Sequence, residues 1–274
     1  MSRALRALVL LLVLLLPAGS AASGAETRLV IVGGGERPPE ALARFVEWAG
    51  GPAARILVLP WASGEPAESC AALLEEIRPH GPGAASCGPH AVLDEKGRAL
   101  PLDPERREEA LRALRAATGV FFGGGDQSRI MDALSDAELL AAVKERFAAG
   151  VVFGGTSAGA AVMSARMITG EGDFTVIDGS RVEVRPGLGL LPGAIVDQHF
   201  VRRQRQNRLF GLVLAHPGER GVGIDEDTAI LVTGGRRAEV VGKGPVVLVD
   251  ARGPDRLTIR LVRTGQTFDL RERD

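Results

Sequence analysis
Val151-Val152-Phe153-Gly154-Gly155-Thr156-Ser157-Ala158-Gly159-Ala160 is the stretch that decides the class of this chain. Three apolar residues read as a short strand, and the small residues from Ser157 to Ala165 read as a short helix. Between them Gly155-Thr156-Ser157-Ala158-Gly159 fits G-x-S-x-G, directly after a strand and directly before a helix. That context is what a nucleophile elbow requires. The glycines permit a tight turn that holds the Ser157 hydroxyl clear of the sheet edge. The N–H of Ala158, at the helix start, is then placed to donate to an oxyanion. A passive serine in a small-residue turn would need the same residues, so the surroundings must discriminate.

Outward from the elbow, short apolar strands alternate with helices. Arg28–Val32, Ile56–Leu59 and Val120–Phe122 read as strands, and 39–48, 66–77, 105–117, 127–134 and 136–149 as helices. Fully apolar strands of this kind imply a parallel sheet covered on both faces, hence an α/β fold. Further on, Ile195–Gln198 reads as a strand ending beside the same sheet edge, Arg203–Ala215 as a helix, and Val222–Ile224 and Ala229–Val232 as strands. The tail from Ala238 to Leu270, rich in Val and Thr with Gly breaks, reads as antiparallel β-ribbons.

A serine nucleophile needs a base. Of the four histidines, His80 and His90 sit among Pro and Gly, and His216 precedes Pro217 at a helix end. His199 follows a predicted strand, with Asp197 and Gln198 before it and Arg202, Arg203, Arg205 and Arg208 after it. It is the candidate base. On a helix, arginines three apart share a face; such a group either forms a solvated basic surface or captures substrate carboxylates. Gly123-Gly124-Gly125-Asp126-Gln127 ends another strand, and an N–H from Gly125 is placed to complete an oxyanion hole. Neither this run nor Gly33-Gly34-Gly35 carries the remaining signature of a dinucleotide or phosphate loop.

The chain has 274 residues, 45% hydrophobic and 24% charged, with 33 basic against 34 acidic residues. That balance excludes a disordered or collagenous chain and a strongly basic nucleic-acid binder. Residues 1–25 differ from the rest: Arg3 and Arg6 precede an apolar run from Ala7 to Leu16, then Pro17, Gly19 and small residues to Ala25. This is the pattern of a signal peptide cleaved after Ala21, Ala22 or Ala25, too short to span a bilayer. The expected domains are therefore a signal peptide at 1–25 and one α/β domain at 26–274. Export to the periplasm or beyond would let Cys70 and Cys87 form a bridge, or they are two ordinary buried thiols. No metal site or cofactor is expected, since two cysteines without a matching His cluster make no zinc site.

The motifs Val32-Gly33-Gly34-Gly35-Glu36, Gly124-Gly125-Asp126-Gln127, Gly154-Gly155-Thr156-Ser157-Ala158-Gly159-Ala160, Asp197-Gln198-His199-Phe200 and Gly223-Ile224-Asp225-Glu226-Asp227-Thr228-Ala229 occur in that order. Together they resemble the peptidase S51 family. The Asp-Gln-His-Phe block with Arg203, Arg205 and Arg208 favours its cyanophycinase branch over the aspartyl dipeptidase branch. The resemblance implies a class I glutamine amidotransferase-like fold, a Ser–His–acid triad and, by analogy, a homodimer. It implies hydrolysis, without cofactor, of multi-L-arginyl-poly-L-aspartate to β-Asp-Arg dipeptides. Ser157 is then nucleophile and His199 base, with Gln127, Asp197, Gln198, Arg203, Arg205 and Arg208 lining the substrate pocket. The acid is expected in the loop between Ser and His, where this chain has Thr175 at the aligned place. Asp173 is the favoured candidate, Glu171 the next. Glu226 is a further candidate, otherwise assigned to the substrate. A secreted aspartyl or isoaspartyl peptidase acting on short peptides, and a lapsed binding protein of the same fold, are the alternatives.

Overall fold
A computed structural model describes residues 25–273; the expected signal peptide lies almost wholly outside the described residues. The strands are β1 (Arg28–Val32), β2 (Arg55–Leu59), β3 (Ala84–Cys87), β4 (Gly119–Phe122), β5 (Val152–Thr156), β6 (Arg166–Gly172), β7 (Val182–Pro186), β8 (Ala194–Gln198), β9 (Arg220–Ile224), β10 (Thr228–Thr233), β11 (Arg237–Gly242), β12 (Val246–Gly253), β13 (Arg256–Val262) and β14 (Thr267–Asp269). The helices are α1 (Pro39–Trp48), α2 (Pro66–Ile77), α3 (Pro104–Ala116), α4 (Gln127–Ala133), α5 (Ala137–Ala148), α6 (Ala158–Ala161) and α7 (Gln206–Ala215).

Local chemistry explains the helix starts. Pro39, Pro66 and Pro104 stand at first helical positions, where the missing N–H costs nothing. Asp103, Asp126 and Asp136 cap α3, α4 and α5 by accepting from backbone N–H groups within the first turn.

An eight-stranded sheet runs β14-β11-β10-β1-β5-β4-β2-β3. From β1 to β3 the pairing is parallel, and β10, β11 and β14 extend it antiparallel. Strand alternation splits its residues between two cores. Val30, Val32, Ile56, Val58 and Phe121 pack with α1 and α2 residues such as Leu42, Phe45 and Leu73. Leu29, Ile31, Leu57, Leu59 and Phe122 pack on the opposite face with Leu111, Leu114, Ile130 and Leu139 from α3, α4 and α5. Both faces are covered, which is why these strands read as unbroken apolar runs.

The strand leading to His199 belongs to a second sheet, contrary to the expectation of a shared edge. That sheet runs β13-β12-β9-β8, with β8 and β9 parallel and the rest antiparallel. Val196, Val222, Ile224 and Leu248 turn inward to the core beneath the large sheet, while Ile195, Val247 and Val249 face Leu209, Leu212 and Val213 of α7. The expected C-terminal ribbons are thus shared out: β11 and β14 finish the large sheet, β12 and β13 the small one. Two further elements were absent from the sequence reading, the edge strand β3 and the hairpin β6–β7. Cys70 on α2 and Cys87 at the end of β3 form a disulfide, with Cα atoms 6.0 Å apart.

Candidate active site
The C-terminal ends of β1, β4 and β5 lie side by side, since Val32 pairs with Thr156 and Phe122 with Gly155. Ser157 leaves β5 at this edge with φ 53° and ψ −107°, a strained conformation for a non-glycine residue. Gly155 and Gly159 make the turn possible: a Cβ on Gly155 would collide with the Gly159 backbone, and one on Gly159 with Phe122. The helix after the elbow is shorter than expected, ending at Ala161. Ala158 is its first residue, so its N–H has no carbonyl within the helix to serve.

His199 and Glu226 come from the small sheet. Gln198 at the end of β8 lies opposite Ile224 at the end of β9, so the residues following both strands emerge together. His199 Nε2 is 2.8 Å from Ser157 Oγ, and His199 Nδ1 is 2.7 Å from Glu226 Oε1. The ring is nearly buried. Burial is the main cause that pushes its pKa below the ordinary 6.5; Arg203 and Arg205 add to this, and the Glu226 hydrogen bond opposes it. The imidazole is therefore neutral at neutral pH and able to accept a proton.

The Gly33-Gly34-Gly35 run joins the two sheets at this point. The carbonyls of Val32, Gly33 and Gly34 accept, in turn, from the N–H groups of Ser157 (3.0 Å), His199 (2.8 Å) and Asp227 (2.9 Å). Gly34, at φ +121°, lies against the His199 ring, where a Cβ would overlap the imidazole. The glycines thus serve close packing of backbone and ring.

The carboxylate on His199 is Glu226, and not Asp173. Asp173 Oδ1 instead accepts from the N–H (3.0 Å) and hydroxyl (2.6 Å) of Thr175, and these bonds hold its pKa below the usual carboxylate range. Glu171 makes no contact with the histidine either; it lines a cleft of about 270 Å³ that opens onto Ser157. Gly125, Gln127, Gln198, Arg203 and Arg205 line the same cleft. Gln127 Nε2 donates to Ile168 O at 2.7 Å. Arg205 donates to Gln198 O and Oε1 at 2.9 and 2.6 Å, and burial lowers its pKa to about 10, leaving it cationic at neutral pH.

Two residues expected in the pocket lie beneath it. The Arg208 guanidinium makes a two-point ion pair with the Asp197 carboxylate, both side chains essentially inaccessible. Neither reaches the cleft. Residues 200–204 form turns, Arg205 stands at the N-cap and α7 begins only at Gln206, so Arg202, Arg203 and Arg205 are not arrayed on a helix face. Sequence reasoning missed Asp126, Thr169 and Glu183 as cleft residues. Glu183 carried no signal, because the hairpin that presents it was unread. Glu226 did carry one: a short apolar strand running into Asp225-Glu226-Asp227.

A second cavity of about 270 Å³ meets Ser157 and His199 from the other side, lined by Gly34, Gly35, Arg37, Ser69, Leu73 and Gly124. Among the described residues no group of three or more His, Cys, Asp or Glu is placed to hold a metal ion.

The family model for peptidase family S51 matches residues 90–240. The cyanophycinase of Trichormus variabilis is 37% identical over 229 residues, 82% of this chain and 74% of its own length. That of Synechococcus elongatus is 38% identical over 235 residues, 84% and 70% respectively. Among solved structures, a peptidase from an acI-B1 Actinobacterium superposes with a TM-score of 0.67 at 22% identity, over 90% of this chain and 98% of that one. A putative Peptidase E protein from Listeria monocytogenes EGD-e gives 0.51 at 14% identity, over 87% and 100%. At these identities the two structures speak for the fold alone.

Proposed function
The chain belongs to peptidase family S51 and is a peptidase, and from that premise we propose that it hydrolyses cyanophycin, multi-L-arginyl-poly-L-aspartate, to β-Asp-Arg dipeptides through an acyl-enzyme. The observation that carries the mechanism is the hydrogen-bonded chain from Ser157 Oγ through His199 to Glu226. His199 Nε2 takes the Ser157 proton as Oγ attacks a backbone carbonyl of the polymer. Glu226 accepts the hydrogen bond from Nδ1–H, fixing the tautomer, and stabilises the imidazolium that forms. The N–H groups of Ala158 and Gly125 receive the tetrahedral oxyanion. His199 then protonates the leaving amine and activates the water that releases the product. The substrate reading is supported by the likeness to cyanophycinases over four-fifths of the chain.

Incubation of the purified protein with cyanophycin, followed by mass analysis, tests this reading; β-Asp-Arg is the expected product. An intact polymer, with turnover of short aspartyl peptides instead, would overturn the substrate assignment. We also propose that the protein is exported, from the charge and apolar pattern of residues 1–25. N-terminal sequencing of the exported form should then begin between Ala22 and Glu26; a chain retaining its first sixteen residues contradicts export with cleavage.

A further inference from the structure
Each unit of the polymer proposed above is a zwitterion, because its arginine is joined through the α-amino group. It presents one free carboxylate and one guanidinium. Of the two cavities that flank Ser157, one carries both signs of charge. Arg203 and Arg205, from the segment after β8, and Glu171 and Glu183, from the β6–β7 hairpin, all line it. The other cavity holds the neutral His199 ring and a single charged side chain, Arg37, whose guanidinium is already taken by Glu76.

The two glutamates are brought to the cleft by an irregularity. Pairing of β6 with β7 is regular to Ile168 opposite Val184, then resumes only at Gly172 opposite Val182. The intervening Thr169-Gly170-Glu171 is bowed out, a known way of re-aiming a side chain beside a site. Thr169 ties the two strands, its Oγ1 donating to Glu183 O and accepting from Glu171 N, both at 3.2 Å. Gln127 anchors the base of the hairpin through Ile168 O. Among the described residues, neither the Glu171 nor the Glu183 carboxylate has a hydrogen-bond or ion-pair partner, while Asp126 in the same cleft is spent on capping α4. Two unpaired carboxylates, in the same cleft as the nucleophile and Arg203 and Arg205, are complementary to the free cation of such a unit.

We propose that Glu171 and Glu183 bind the guanidinium of the arginine-bearing unit, with Arg203 and Arg205 on its carboxylate. Selectivity for arginine then resides in the β6–β7 hairpin. The inference rests on the cyanophycin reading, yet its test reads separately from it. The Ser157→Ala protein is titrated by calorimetry with β-Asp-Arg and with β-Asp-citrulline, in which a neutral urea replaces the guanidinium. The arginine dipeptide should bind about tenfold or more tightly than its neutral counterpart, the difference expected of hydrogen bonds to a charged group. Adding Glu171→Gln and Glu183→Gln should bring the two affinities within about twofold, with citrulline binding unchanged. In the protein that retains Ser157, the same pair should raise KM for the polymer and leave kcat. Equal affinities at the outset, no binding of either dipeptide, or a preference surviving the double substitution would each overturn the inference. If the wild-type protein leaves cyanophycin uncut, the functional reading fails, and the binding preference still decides the role of the hairpin.

Discussion

The large sheet contributes Ser157 from its interior strand β5, whereas the small sheet contributes His199 and Glu226 from the ends of β8 and β9. The first contribution is local: strand, strained turn and helix are contiguous in the chain, and small residues within it do the shaping. The second depends on register. His199 and Glu226 are 27 residues apart and meet because two parallel strands end level. A nucleophile can thus be built by turn chemistry alone, while the machinery that activates it depends on long-range pairing. Substitutions should separate the two contributions.

The largest effect is expected at the local end. Ser157→Ala should lower kcat by about 10⁴-fold or more, by analogy with other serine peptidases, and leave the melting temperature nearly unchanged. Residual turnover near the wild-type level in a purified preparation would remove Ser157 from the mechanism.

Glu226 and Asp173 provide the sharpest discrimination. Glu226→Gln should lower kcat by about 10³–10⁴-fold, since an amide on Nδ1 favours the wrong tautomer. Asp173→Asn, which disturbs only the Thr175 turn, should leave kcat within about twofold, as surface changes away from the chemistry usually do. Steady-state kinetics of the pair decide it, and a reversed order would return the acid to the loop between serine and histidine.

Gly34→Ala addresses the join between the sheets. The added methyl overlaps the His199 ring at a backbone φ of +121°, so the imidazole must shift from Ser157. A loss of about 10²-fold in kcat is expected for a misplacement on the ångström scale. Labelling by a serine-reactive fluorophosphonate should slow in parallel. Labelling at the wild-type rate would mean that the ring tolerates the methyl.

The smallest effect is a shift on the pH axis. His199 must be neutral to act, and its pKa lies below 6.5, so kcat/KM should be flat at neutral pH and fall as pH drops through that lowered value. Arg203 depresses the pKa, so Arg203→Gln should move the acid limb to higher pH. Glu226 raises it, so the residual activity of Glu226→Gln should fall off at lower pH. Profiles of log kcat/KM against pH would show both directions; identical limbs would mean that the titrating group is not His199.

Much of the large sheet was legible because its strands are buried on both faces and its helices begin at Pro or Asp caps. Helix α2 was bounded as read, and α1 likewise. Strand β3 escaped because Ala84-Ala85-Ser86-Cys87 is an edge strand with little apolar weight. The β6–β7 hairpin escaped because its outer half is solvent-facing and broken by the irregularity at Thr169–Glu171. In the site, the elbow and His199 were legible from residues adjacent in the chain. Asp197 and Arg208 were misjudged because a pair of opposite charges reads alike whether it faces a ligand or itself. Glu226, a candidate for the acid, stood behind Asp173 because chain position, unlike strand register, does not say which loop reaches a histidine.

The three consecutive carbonyls of Val32, Gly33 and Gly34 carry a consequence for the life of the molecule before it is finished. Each receives an amide from a different segment: one from the exit of β5 in the large sheet, and two from the exits of β8 and β9 in the small sheet. Until that second layer has docked, Ser157 has no base beside it. A partly folded chain would therefore be chemically silent even with its elbow already formed. Such a chain should be unable to form an acyl-enzyme, and hydrolytic competence requires both layers in place, in the manner of a zymogen that needs no cleavage.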